Sequence, residues 1–357
     1  MNWKDMSART GMLAILLAIL LRMVGAGGLF GHAAGIFSQP ELASFLIYSE
    51  TGRQPTLSGD PTVPPTTTGT PTTPTAPSVT EPAPTVPTPT VPMPTVPTPT
   101  VPAQPQRPVF GEADMQYVSL VYSGSDKPDA KKLLLQKLNW NLTGDKPTIL
   151  IIHSHATEAY TKTPDAMYDN YAAYRTEDDR YNMISIGDEL TRLLEEKGLN
   201  VIHDRTAFDY RDYDNAYANS RKAVQAYLKE YTSIKMVMDL HRDAVANADG
   251  TQWATRAEID GQSAAQLMFV LGTDALGDSH SGWRTNLSVA EKLLALVGRQ
   301  ESDVCRQIRI KGKSYNHDLA VGAMIVEVGA AGNTHAEALA AMPVLADAIY
   351  ALSKGAN

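Results

Sequence analysis

Apolar and polar positions alternate along the chain in two different registers, and the switch between them lays out the fold. Thr148-Ile-Leu-Ile-Ile-His153 is a continuous apolar run, the pattern of a strand buried on both faces. From Asn182 to Lys197 the spacing turns helical. Ile184, Ile186, Leu190, Leu193 and Leu194 form one side, and Gly198 stops the helix. Asn200–His203 predicts a short strand, Asn219–Tyr231 a second helix, and Lys235–His241 a third strand. Gln266–Leu271 and Gly322–Glu327 predict two more strands, and Thr334–Leu352 one long Ala-rich helix. Strands alternating with helices predict an α/β fold, a mixed and largely parallel sheet flanked by helices. In such sheets ligands bind past the carboxyl ends of the strands.

Upstream of residue 113 the chain reads differently. Gly11-Met-Leu-Ala-Ile-Leu-Leu-Ala-Ile-Leu-Leu21 is apolar and follows Lys4 and Arg9. A cleaved signal peptide is one reading of that run. The run is expected instead to be an uncleaved anchor over 11–37, with residues 1–10 cytoplasmic and the rest extracytoplasmic, as in a single-pass protein of the cell membrane. Eighteen of the 23 prolines lie between Pro55 and Pro108, and Pro-Thr-Val recurs from 84, 89, 94 and 99. Proline fixes φ and removes backbone donors, so residues 38–112 are expected to form an extended, disordered spacer. At ~3.1 Å per residue it would reach on the order of 150 Å. Residues 113–357 then remain for a catalytic domain.

Composition narrows the chemistry. The net charge of −8 and the lack of a basic cluster argue against a nucleic-acid partner. The single cysteine, Cys305, allows neither an internal disulfide nor a thiolate zinc site, and is expected to be a small buried residue. Histidine and carboxylate chemistry is what remains, and it gathers at strand ends. The first strand ends in His153-Ser154-His155 with Glu158 beyond, the third in Asp239-Leu-His-Arg-Asp243, and the last in Glu327-Val-Gly329.

His155-Ala-Thr-Glu158 is an H-x-x-E element. A catalytic zinc ion takes three protein ligands and a water. His155, Glu158 and His241 supply two nitrogens and one oxygen, and leave Glu327 as a general base on a buried strand, with Val328-Gly329 giving backbone that substrate could approach. His153 shares a strand face with His155 and could replace or orient it. Asp178 is an alternative carboxylate ligand. His203, His280 and His335 lack such company and are expected at the surface or at caps.

These residues resemble the stage II sporulation protein P family. The resemblance rests on Ile151-Ile-His-Ser-His-Ala-Thr-Glu-Ala-Tyr160, Asp239-Leu-His-Arg-Asp-Ala244, Ser314-Tyr-Asn-His317, and Ile325-Val-Glu-Val-Gly329 with Asn333-Thr334. Asn182–Gly187, Asp209, Trp283 and Asn286 also fit, and nearly all of 113–357 is covered. The resemblance implies a zinc-dependent N-acetylmuramoyl-L-alanine amidase acting on peptidoglycan in forespore engulfment, with endopeptidase activity in some members of the family. It implies a fold similar to that of the zinc amidases of peptidoglycan, and a stage II sporulation protein D-like lytic transglycosylase as partner. In those amidases the second ligand is a Glu well after the first His. Here that distance falls on Glu177 or Asp178, which keeps the choice against Glu158 open. Two other readings stand beside it. One is a zinc carboxypeptidase, which would need arginines, Arg242 among them, to hold a terminal carboxylate. The other is a cell-wall-binding domain with a decayed site.

Overall fold

The computed structural model describes residues 106–122 and 127–357. The expected anchor at 11–37 lies outside the described residues. Among those described, no helix is long and apolar enough to cross a membrane. Phe110 is already buried in the core, ahead of residue 113.

The apolar run beginning at Thr148 forms β2 (Ile149–Ile152), every residue of it buried. The helix that follows, α2 (Met183–Glu196), starts where the Asn182 side chain accepts the Ile184 N–H, satisfying one of the first-turn donors. It ends where Gly198 adopts φ +80°, a conformation that costs glycine little. Its inward face buries Met183, Ile186, Leu190 and Leu194, and a leucine buried to this degree is worth about 2–5 kcal/mol against alanine. Next come β3 (Val201–His203), α3 (Ala216–Glu230) and β4 (Met236–Asp243). α3 begins three residues before the expected Asn219, because the turn Tyr213–Asn215 feeds directly into it.

Past β4 the chain forms a hairpin, β5 (Arg256–Ile259) and β6 (Gln262–Ala265), and then β7 (Leu267–Gly272). Helix α4 (Trp283–Gln300), strand β8 (Ile308–Lys311) and strand β9 (Ala323–Ala330) follow. The single final helix expected over Thr334–Leu352 is instead two, α5 (His335–Ala340) and α6 (Met342–Leu352). Pro343 causes the break, since it offers no N–H and its ring clashes with the preceding turn. At the start of α5, Thr334 and Glu337 cap each other reciprocally, the Glu337 N–H donating to Thr334 Oγ1 at 3.1 Å. Two short pieces complete the described strands and α-helices, β1 (Leu120–Tyr122) and α1 (Ala130–Leu134).

Seven of the described strands form one sheet in the order β1-β8-β7-β9-β4-β2-β3, and β5 and β6 pair separately. Neighbours run parallel except β7 and β9, which are antiparallel. The sheet is therefore mixed and largely parallel, as expected, with helices on both faces. Because side chains alternate across a strand, each strand feeds two cores. Ile149, Ile151, Met236, Met238, Leu240, Met324 and Val326 pack into the larger one, together with residues of α2, α4 and α6. Leu150, Ile152, Val237 and Ala323 point to the other face and pack with Val224 of α3. Asp239, His241 and Glu327 continue that second face toward the carboxyl ends of β4 and β9 (His241 opposite Glu327 in the ladder). The parallel block β9-β4-β2-β3 thus gathers its carboxyl ends, and the residues that carry chemistry, along one edge.

Candidate metal centre

Three side chains meet at that edge. One ligand atom each from His155, Glu158 and His241 lies within 4.8 Å of the other two, and all three residues are buried. His155 Nδ1 is 3.8 Å from Glu158 Oε1, and His241 Nδ1 is 3.5 Å from Glu158 Oε2. Local structure explains the convergence. His155 lies just past β2, and Glu158 is brought back beside it by a turn in which the Glu158 N–H donates to the His155 carbonyl at 3.1 Å. His241 lies on β4, next to β2 in the sheet, and a register shift against β9 between His241 and Asp243 re-aims the end of that strand.

The electrostatics of the cluster follow from burial. Desolvation drives His155 down to about 3, so its imidazole is neutral with a lone pair to offer. Burial pushes Glu158 up, but Arg242, His241 and Arg175 outweigh it and hold the carboxyl well below the usual range. Burial lowers His241, yet Asp239 and Glu158 overcome it and raise it well above its ordinary value. The carboxylates around His241 thus favour a positive charge there. Two neutralisable imidazoles and a buried carboxylate are the donor set zinc prefers. With bonds of about 2.0–2.1 Å, a tetrahedral ion sets its ligand atoms about 3.4 Å apart, against 3.5 and 3.8 Å from the Glu158 carboxylate to the two imidazoles. The residues fit such an ion.

Glu158 is held on its outer side by arginine. Arg175 Nη2 donates to Oε1 at 3.2 Å, and the Arg242 backbone N–H donates to Oε2 at 3.2 Å. Tyr213 lies flat on His155, with ring centroids 4.5 Å apart and planes 9° from parallel. Tyr217 stands edge-on to His155 and nearly parallel to His241. No periodicity in the sequence signals Arg175, Tyr213 or Tyr217, because each reaches the cluster through its placement in the fold.

Glu327 is not a strand end, since β9 continues to Ala330. It sits opposite His241 in the ladder, and its Oε2 is buried with no hydrogen-bond partner. Burial, then the nearby Asp243 carboxylate, pushes it up to about 8. The backbone after it serves a different purpose from the one expected. Gly329 has φ +65°, and a Cβ there would meet Asn333 Oδ1 at 2.7 Å and the Ala265 side chain at 2.9 Å. The glycine makes room for the neighbouring chain, not for a substrate.

The alternatives are placed elsewhere. Asp178 is not among the clustered residues, and its Oδ2 accepts from Arg180 Nη2 at 2.7 Å. His153 turns away from His155. Its Nδ1 faces the Leu240 carbonyl at 3.1 Å and its Nε2 faces His203 Nε2 at 2.8 Å. His203 is therefore not a surface residue. Strand β3 pairs with β2, and the ladder sets His203 opposite Ile151. His280 is likewise buried, with its Nε2 unpartnered, whereas His335 opens α5 beside its cap and faces Ser185 Oγ at 2.7 Å. Cys305 packs against the core.

Fold and cluster together define an α/β domain with a buried His/Glu/His centre at the carboxyl edge of its sheet. The family model described as Stage II sporulation protein P (SpoIIP) matches residues 106–350. This chain belongs to the stage II sporulation protein P family. The Stage II sporulation protein P of Bacillus subtilis (strain 168) is 26% identical over 216 residues, 57% of this chain and 51% of that protein. The chain thus spans about half the length of the curated relative it matches. Among solved structures, the N-acetylmuramoyl-L-alanine amidase AmiC2 of Nostoc punctiforme aligns with 58% of this chain and 95% of its own, at 13% identity and a TM-score of 0.34. The CwlD amidase from Clostridioides difficile, solved with the GerS lipoprotein, aligns with 57% and 94%, at 14% identity and a TM-score of 0.33.

Proposed function

We propose that this chain is a zinc-dependent peptidoglycan hydrolase, an N-acetylmuramoyl-L-alanine amidase that cuts the amide between N-acetylmuramic acid and L-alanine. The observation that carries the reading is the buried meeting of His155, Glu158 and His241 within 4.8 Å, with Glu327 opposite His241 and its Oε2 unpartnered. Membership of the sporulation family supplies the context, cell-wall remodelling during engulfment. The proposal extends to a cell-membrane tether through residues 11–37, an extracytoplasmic domain, and a stage II sporulation protein D-like lytic transglycosylase as partner.

In this reading His155, Glu158 and His241 hold the ion. When bound, it supplies Lewis-acid polarisation of the scissile carbonyl and a water acidic enough to react near neutral pH. Glu327 takes a proton from the attacking water on its free oxygen and returns it to the leaving amine of L-alanine. Its raised proton affinity suits both halves of that task. Arg175 and the Arg242 N–H fix Glu158 so that its oxygens face the histidines.

A carboxypeptidase reading has less support, because its proposed carboxylate clasp is already committed. Arg242 is buried, and its guanidinium donates to the carbonyls of Ala159 at 3.1 Å and Tyr174 at 3.0 Å. The deciding experiment is mass analysis of purified peptidoglycan digested by the purified chain. An amidase releases stem peptides with a free L-alanine N-terminus. Stems shortened only at their carboxyl ends would overturn the proposal in favour of a carboxypeptidase, and undigested peptidoglycan from folded, zinc-loaded protein would favour a decayed site.

A further inference from the structure

We infer that Asp239 is a positioning residue for the metal centre, one carboxylate that sets both histidine-bearing strand ends at once. The inference rests on the reading of His155, Glu158 and His241 as metal ligands.

Its geometry begins in the sheet. Asp239 and His241 are two apart on β4, so both side chains leave the same face. His241 turns Nδ1 toward Glu158 and Nε2 toward Asp239, whose Oδ1 lies 2.9 Å away. That contact is off the line of a straight N–H···O bond, since Nε2 makes no hydrogen bond by strict geometry, and the attraction is chiefly that of charge for a polar N–H. A proton held on Nε2 leaves the Nδ1 lone pair for the cluster. The arrangement is that of a carboxylate orienting a histidine from behind.

The same carboxylate reaches the other strand. The β2–β4 ladder sets Ile152 beside Asp239, which places the carboxylate against the chain leaving β2. There the Ser154 N–H donates to Asp239 Oδ1 at 2.7 Å, and the Ser154 hydroxyl donates to Oδ2. Ser154 immediately precedes His155. Asp239 is 3% exposed, so its charge is screened little by water and its contacts are correspondingly strong. With Asn in its place, one oxygen becomes an NH₂ group. At the Oδ1 position it would meet both the Ser154 N–H and the His241 N–H, and at the Oδ2 position the Ser154 hydroxyl, and in either orientation the charge that draws both strand ends together is gone.

The test is zinc binding by the full chain, measured by competition with a chromophoric chelator, together with the visible spectrum of the cobalt(II)-loaded protein. Asp239→Asn, with unchanged far-ultraviolet circular dichroism, is expected to bind zinc about 10–100-fold more weakly, the usual cost of losing a partner that orients a metal-binding histidine. Its cobalt spectrum is expected to change, because ligand geometry and not only fold is altered. Wild-type affinity with an unaltered cobalt spectrum would overturn the inference. Should Asp239→Asn fail to fold, Ser154→Ala removes one donor and leaves the carboxylate. It is expected to weaken zinc several-fold and perturb the spectrum, and no change in either would overturn the inference equally. Wild-type protein that takes up no zinc would instead reject the metal reading itself, a separable outcome.

Discussion

Arg175 Nη1 lies 2.6 Å from Asp209 Oδ2, and the other arm of the same guanidinium lies 3.2 Å from Glu158 Oε1. One cation thus bridges a carboxylate of the cluster and a carboxylate from the loop that leads to Tyr213. Asp209 is buried, and desolvation pushes its carboxyl above the usual range despite its partners.

Removing the cation leaves two buried carboxylates without it. Arg175→Met is therefore expected to lower stability by about 3 kcal/mol, the scale of breaking a buried pair from one side. Urea unfolding read by circular dichroism would show a lower midpoint at an unchanged slope. A midpoint equal to wild type would mean that the bridge contributes nothing net.

The ligand assignment makes a prediction about metal content. His155→Ala and His241→Ala are each expected to abolish stoichiometric zinc, whereas Asp178→Ala keeps it, because Asp178 is engaged by Arg180. Elemental analysis of the purified variants decides the matter. Zinc loss in Asp178→Ala with retention in Glu158→Ala would transfer the third ligand to Asp178.

For Glu327 the expected separation is between binding and rate. Glu327→Gln keeps the shape and removes the basic oxygen, so zinc content and thermal unfolding should stay near wild type. The rate of peptidoglycan cleavage should fall about 10²-fold or more, the usual contribution of a general base. Near-normal turnover would exclude this role, and loss of zinc would make Glu327 a ligand.

Where periodicity is strong, the sequence announces the fold. β2, α2, β4 and β9 carry runs of one period, and the sheet brings His155, His241 and Glu327 to one edge, although β9 runs on past Glu327 to Ala330. α4 escapes that reading because it lacks a polar stripe, burying even Glu291 and Lys292 between its apolar residues. The hairpin β5–β6 is polar and short, so alternation hardly marks it. Asp239 was legible in principle, as the Asp of an Asp-x-His alternation on a single strand face. Arg175, Tyr213 and the His153–His203 pair were not, since they depend on loop paths and on which strand lies beside which.

The buried acid of α4 yields a prediction about pH. Glu291 is fully buried with both carboxylate oxygens unpartnered, and burial pushes it up to about 8 from 4.5. Its folded pKa is raised, so between about pH 4.5 and 8 the folded chain holds a proton that the unfolded chain has lost. Stability from this group is then present below the unfolded pKa and declines as pH rises, by up to about 1.4 kcal/mol per unit within that window. Lys292, whose ammonium donates to the Leu133 carbonyl at 3.0 Å, is lowered by burial to about 8 from 10.5. Its own linkage therefore acts above that window and has the opposite slope. Glu291→Gln keeps the volume and removes the titration. The variant should be more stable than wild type at pH 7.5 by a few kcal/mol and close to it at pH 4.5, as read by urea unfolding at both values. A difference between the two proteins that stays constant across that range would show that Glu291 titrates normally in the folded chain.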